Sequence, residues 1–349
     1  MDNKNFQTFF DCGSSRIRAC TFNKNNRSEA FYCESEFCTD QSNIESKIEK
    51  IVTSFEKDTN EYIDSVNLMV DSSKMFFISI SLSKKLDGSN LKQTNVQFLV
   101  QEAKQQILKY YTNHSIAHII INNYKINGVD YSYLPNEIKC NFISLDIFFI
   151  CLPTDLVTYF KNIFSKYNIS INQIICSSYA KSINYKDNFS LIENLIFIDI
   201  GFNKTSIICY KKSKITFLDI LTIGGNHITK DISKVINIDL LQAEKIKLLF
   251  DKNKTFLKEQ KISTDLTQQI VFARIEEILK LSVKSIKLNL NLISLDQFKL
   301  VITGDGAKIL DNKSKEKISI STDMDLIDES VEDIFQSAPK LINGLDQRE

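Results

Sequence analysis

Ile198-Asp199-Ile200-Gly201-Phe202-Asn203-Lys204-Thr205 has a counterpart near the start of the chain, Phe10-Asp11-Cys12-Gly13-Ser14-Ser15-Arg16-Ile17. Each copy is an apolar residue, an Asp, any residue and a Gly, followed by a short polar turn and a second strand-like run. One copy opens each half of the chain, the mark of an internally repeated architecture. Glycine lets such a turn adopt unusual dihedrals and present consecutive backbone N–H groups to an anion. An Asp at the strand end can hold Mg²⁺ through water, because Mg²⁺ prefers carboxylate oxygens and keeps much of its hydration. Two such hairpins are expected to clamp a nucleotide phosphate tail between two domains. For either copy alone, an ordinary Gly-containing hairpin is the competing reading.

The windows that follow weigh against that alternative. Ile223-Gly224-Gly225-Asn226-His227-Ile228-Thr229-Lys230-Asp231-Ile232 sets two glycines just before a helical pattern. Ala243-Glu244-Lys245-Ile246-Lys247 then puts Glu244 and Lys247 three apart, on one helical face. Val301-Ile302-Thr303-Gly304-Asp305-Gly306-Ala307 closes a strand in a glycine turn. The glycines gain weight from their scarcity: the 349 residues hold only 9, against about 24 at average usage.

Length favours two domains, and a hydrophobic fraction of 43% excludes disorder. Lys plus Arg and Asp plus Glu balance at 43 each, without a basic run, so no nucleic-acid partner is expected. Eight scattered Cys without a CxxC pair fit reduced thiols. Neither a signal-length apolar run at the N-terminus nor a membrane-spanning stretch is present in the sequence. His114 and His118 lie four apart without an acidic or Cys companion, so they read as strand-entry residues and not as metal ligands.

Along the chain, apolar spacing predicts strands at 6–10, 17–22 and 66–70 and a helix at 44–55. Residues 76–152 read as a β-α-β-β block closed by Pro153, a small inserted subdomain. A helix over 154–167, capped by Thr154 with Asp155 in its first turn, a strand at 169–176 and a short helix at 177–185 follow. Strands at 191–200, 206–210 and 215–221 lead into helical patterning from 228 to 250. A charged loop at 251–261 precedes a long helix over 266–290 and a strand at 298–303. The tail from Asp311 is polar and acidic except for Val331–Leu345, which is expected to pack as a last core helix.

On these motifs the chain resembles FtsA, the actin-fold family of bacterial cell division, in the superfamily of actin and the DnaK-type chaperones. The likeness is strongest from Phe197 to Lys247, where GGNHITKDI and AEKIK are particular to the FtsA branch, and it extends to SSYAKS at Ser177–Ser182. It implies an α/β, actin-like fold: two RNase H-like domains flanking a nucleotide cleft, with an inserted FtsA-type subdomain 1C. Subdomain 1A would comprise 1–70 and 153–190, 1C 71–152, 2A 191–238 and 296–349, and 2B 239–295.

The resemblance further implies ATP and Mg²⁺ as cofactors, with Asp11 and Asp199 positioning the metal through water and serving any ATPase chemistry. Gly13, Ser14, Ser15 and Arg16 match the first phosphate loop, Arg16 standing where the family usually has Lys. Gly201, Lys204 and Thr205 belong to the second loop. Gly224 and Gly225 match the turn near phosphates and ribose, Glu244 and Lys247 the ribose-side helix, and Gly304 with Gly306 the adenine-side turn. Arg274 and Glu277 match positions that face the C-terminal tail of the tubulin-like FtsZ. Expected partners are that tail, other divisome proteins and further copies in filaments formed through 1C, at the division site on the cytoplasmic side of the inner membrane.

Two departures modify these expectations. The family's second loop reads DIGGGTTD, whereas Phe202 brings a Cβ and a ring where backbone would approach phosphate, and Asp305 adds a carboxylate to the adenine-side turn. Weakened nucleotide affinity and little hydrolysis are therefore predicted. The family usually continues into a basic amphipathic membrane helix, while this sequence runs to Glu349, so peripheral membrane association is expected to be indirect. A working actin-like ATPase and a PilM-like pilus-assembly relative are the rival readings on the same fold.

Overall fold

The computed structural model describes residues 5–37, 43–135, 138–249, 262–310 and 323–342. Contacts divide the chain into two compact units. One holds residues up to Cys12, Arg16–Asn184 and the chain from Val331; the other holds Gly13–Ser15 and Tyr185–Ser330.

In the first unit β1 (Phe6–Cys12), β2 (Ile17–Asn23) and β3 (Ala30–Glu34) form an antiparallel meander. Parallel strands β4 (Ser65–Val70) and β9 (Ser170–Cys176) extend it, giving the order β3-β2-β1-β4-β9. Helix α1 (Ile44–Thr59) exists because Ile44, Ile48, Ile51, Val52 and Phe55 recur on one face, and all five are buried. Its C-cap is Asn60 in the left-handed region.

The inserted block lies between β4 and β9. Strands β5 (Phe76–Asn90), β6 (His114–Ile126), β7 (Val129–Tyr131) and β8 (Lys139–Pro153) form an antiparallel sheet ordered β5-β8-β6-β7. Helix α2 (Gln93–Tyr110) lays Val96, Leu99, Val100, Ala103 and Ile107 on Ile143, Leu145, Ile147 and Phe149. The block thus carries one strand more than its sequence pattern suggested. It leads into α3 (Thr154–Ser165), whose N-cap is Pro153 without a side-chain bond. Thr154 is therefore the first helical residue and not the cap.

The second unit repeats the plan. Strands β10 (Leu195–Ile200), β11 (Thr205–Lys211) and β12 (Lys214–Leu221) form the meander, and β13 (Lys299–Thr303) and β14 (Met324–Leu326) add in parallel, in the order β12-β11-β10-β13-β14. Asp11 pairs across its hairpin with Arg18, and Asp199 with Ser206, so the two Asp-x-Gly hairpins have equivalent registers.

The helical pattern over 228–250 resolves into α5 (Gly225–Ile236) and α6 (Leu240–Leu249), separated where Asn237 turns left-handed. Helix α7 (Thr264–Leu290) begins at Ser263, whose side chain accepts from the Leu266 N–H. The charged loop predicted at 251–261 lies outside the described residues. The C-terminal helices α8 (Val331–Phe335) and α9 (Ala338–Ile342) bury Ile334, Phe335, Ala338 and Leu341. They pack on β3 and β9, so this stretch belongs with the first unit and not with the 191–238 and 296–349 grouping expected from sequence.

Candidate functional site

In the second unit three glycine turns converge. The Gly225 N–H donates to the Gly201 carbonyl at 2.9 Å, Asn226 N–H to Phe202 O at 2.7 Å, and Gly306 N–H to Ile200 O at 2.8 Å. Gly201 N–H donates to Lys204 O, and the Thr205 hydroxyl to Ile223 O at 2.7 Å. Glycine is required by closeness: a Cβ at Gly224 would lie 2.5 Å from the Gly201 carbonyl oxygen. At Gly304, where φ is +97°, a Cβ would lie 2.2 Å from an Asp199 carboxylate oxygen. The sequence windows are thus brought together as expected, but these N–H groups are spent on one another and not turned toward an anion.

Glu244 and Lys247 form a buried ion pair at 2.7 Å. The Lys247 ammonium also donates to Gly225 O at 3.2 Å and Thr229 Oγ1 at 3.0 Å, and the Thr229 hydroxyl donates to Glu244. Both charged side chains are nearly sealed, Lys247 at 3% and Glu244 at 5% exposure. Burial lowers the Lys247 pKa, against the pull of Glu244 and Asp305. The Phe202 ring, itself buried, lies under the Lys247 ammonium at 5.5 Å. Asp305 is 3.5 Å from Lys308. Asp199 is buried against the Gly304 turn, and its register partner Thr303 has a buried hydroxyl without a hydrogen-bond partner.

In the first unit α4 (Ser177–Asn188) starts against a polar cluster. The Ser177 hydroxyl donates to Asp11 at 2.7 Å. The Ser178 N–H donates to both Asp71 carboxylate oxygens at 3.1 and 3.2 Å, so a carboxylate already sits on this helix N-terminus. The Cys176 N–H donates to Nε2 of the fully buried His118 at 2.8 Å. Burial raises the Asp11 pKa, while Lys181, Arg18 and the Ser177 hydroxyl pull it down and Asp71 pushes it up. Arg16 pairs with Glu34 at 2.9 Å, and Glu34 also takes Arg18 at 2.8 Å. Gly13, Ser14 and Ser15 form the turn between β1 and β2. His114 Nε2 donates to the Lys74 carbonyl oxygen, 3.3 Å away. Among the described residues no group of three His, Cys, Asp or Glu is placed to hold a metal ion.

Arg274 on α7 makes a bidentate pair with Asp231 of α5 at 2.6 and 2.9 Å and a 2.7 Å bond to Glu277. The sequence singled out both Arg274 and Glu277, while Asp231 stood in its glycine window without being linked to Arg274. Thr229 and Lys181 stood inside the GGNHITKDI and SSYAKS windows without a role assigned, His118 was read only as a strand-entry residue, and Asp71 was not picked out. The legible hint for Lys181 was its i, i+4 spacing from Ser177 on one helix face.

Among solved structures, the PilM of a PilM–PilN type IV pilus biogenesis complex superposes with a TM-score of 0.61, covering 93% of this chain and 90% of that one at 11% identity. MreB5 of Spiroplasma citri bound to ADP gives 0.53, covering 99% and 98% at 10% identity. The fold is that of the actin-like ATPases. The ethanolamine utilization protein EutJ of Carboxydothermus hydrogenoformans shares it, at a TM-score of 0.52 and 12% identity over 96% of this chain and 88% of that one. The family model "Cell division protein FtsA" matches residues 196–345 of this actin-like chain. FtsA of Agrobacterium fabrum is 18% identical over 256 residues, and FtsA of Rhizobium meliloti 19% over the same length, each covering 68% of this chain. The chain spans 57% and 58% of those two relatives. No helix among the described residues is long and apolar enough to cross a membrane.

The residues test poorly against an ATP-filled form. Glu244 and Lys247, expected on the ribose side, instead satisfy each other in a buried pair against the Phe202 ring. The N–H groups of Gly201, Gly225, Asn226 and Gly306 are paired with backbone carbonyls and so do not face an anion.

Proposed function

We propose that this actin-like chain is an FtsA-like cell-division scaffold in which the nucleotide windows hold the fold together and ATP with Mg²⁺ enters only weakly, after Phe202 moves. In this reading it links the FtsZ tail to other divisome proteins at the cytoplasmic face of the membrane and self-associates through the inserted 71–152 subdomain. The carrying observation is the FtsA model match over 196–345, the segment that supplies the meander β10–β12, the glycine turns and α7. The closed Glu244–Lys247–Thr229 cluster favours a scaffold over the ATPase alternative.

A resin carrying an FtsZ C-terminal peptide tests this directly. The wild-type chain is expected to be retained, and Arg274→Glu and Glu277→Lys to be retained several-fold less. Glu277→Lys leaves the Arg274–Asp231 pair in place, so its loss reports on docking and not on helix packing. Absence of wild-type retention would sink the reading.

A PilM-like pilus-assembly scaffold is the second reading. It is favoured by the superposition on that PilM chain, with a TM-score of 0.61 over 93% of this chain. Capture by a PilN segment, with none by the FtsZ peptide, would select it.

A further inference from the structure

Asp11 sits at the end of β1, 5% exposed, where a carboxylate is costly unless its charge is answered. The answer comes from this chain. Ser177, the first residue of α4, donates to Asp11 Oδ1. Lys181 lies one helical turn later, on the same face of α4, and is buried to 6% exposure. Arg18 stands opposite Asp11 in the β1–β2 ladder and leans to Glu34. Asp71, the neighbouring acid, is turned to the Ser178 N–H and the Cys176 thiol.

We propose that Lys181 is the resident counter-ion of Asp11, filling by a fixed ammonium the charge role that a hydrated divalent cation would have beside this carboxylate. Asp11 then anchors the start of α4 instead of a metal, and the first hairpin keeps its shape irrespective of Mg²⁺. The pairing rests on the first unit alone and is independent of whether the chain serves cell division.

Thermal unfolding of the full chain, with and without 10 mM MgCl₂, tests it. Lys181→Met leaves a buried carboxylate unanswered and is expected to lower Tm by on the order of 5–10 °C. Lys181→Arg, which keeps a cation, is expected to stay near wild type. The double variant Asp11→Asn/Lys181→Met, which removes both charges, is expected to be more stable than Lys181→Met alone. Mg²⁺ is expected to leave the wild-type Tm unmoved. A double variant no more stable than Lys181→Met overturns the proposal, even when that single variant fails to fold. So does a Tm for Lys181→Met equal to wild type, a loss in Lys181→Arg as large as in Lys181→Met, or a saturable Mg²⁺ stabilisation of wild type that Asp11→Asn abolishes.

Discussion

Glu244 and Lys247 lie three apart on α6, and what surrounds them decides their role. An exposed pair waiting for a ligand contributes little to stability, whereas a buried pair that loses one member strands the other charge. Here the pair is closed by Thr229 and Gly225 O, with the Lys247 ammonium over the Phe202 ring. Glu244→Ala is therefore expected to cost about 3–5 kcal/mol in chemical denaturation, and a loss under about 0.5 kcal/mol would mean the pair is not structural. His227, in the glycine turn at the start of α5, supplies a pH test. Gly224 N–H donates to its Nδ1, a bond that needs the unprotonated nitrogen. Burial lowers its pKa below the ordinary 6.5, with Lys230 and Arg274 acting in the same direction. The unfolded chain thus binds the proton more readily, so this contribution is complete above pH 6.5 and is lost as pH falls through the lower folded value. Urea midpoints between pH 7.5 and 5 should fall more steeply for wild type than for His227→Gln. Equal slopes would remove His227 from the account.

At the scale of elements, α5 and α7 are joined by the Arg274–Asp231 fork, each side chain about a quarter exposed. A partly solvated bidentate pair contributes modestly, and Arg274→Met is expected to cost about 1 kcal/mol, measured as a shift in urea midpoint at unchanged slope. Elements with apolar runs or 3.6-residue spacing were legible in the sequence: β10 is buried along its whole length, and α1 buries the five residues its pattern named. The strands that escaped were short or at sheet edges, where nothing enforces alternation. Ala30–Glu34 holds no fully buried residue, and Met324–Leu326 spans three residues in an acidic stretch. The start of α4 escaped for another reason. Asp71 and His118 reach it from β4's end and β6, more than fifty residues away in the chain, and local pattern carries no such information.

For the whole molecule, the repeated Asp-x-Gly hairpin was the most informative feature of the sequence. It pointed to an internally repeated architecture, and the structure carries two sheets of equivalent order, β3-β2-β1-β4-β9 and β12-β11-β10-β13-β14. The same windows foretold which glycines would gather, but not that their N–H groups would pair with neighbouring carbonyls. Phe202 was legible as a departure; that it lies under Lys247 was not, because a ring's resting place depends on packing. We expect this actin-like fold to hold its glycine turns closed with its own backbone carbonyls and the buried Glu244–Lys247 pair, so that Mg-ATP enters only weakly. Isothermal titration with Mg-ATP on wild type and Phe202→Gly tests it most directly. Removing a buried Phe is expected to cost about 3–5 kcal/mol of stability, so both proteins are titrated at a temperature where each is folded. Wild type is expected to show no saturable binding below about 1 mM, an affinity worth roughly 4 kcal/mol, and Phe202→Gly at least tenfold tighter binding. Micromolar binding by the wild-type chain, unchanged or weakened in Phe202→Gly, would contradict it.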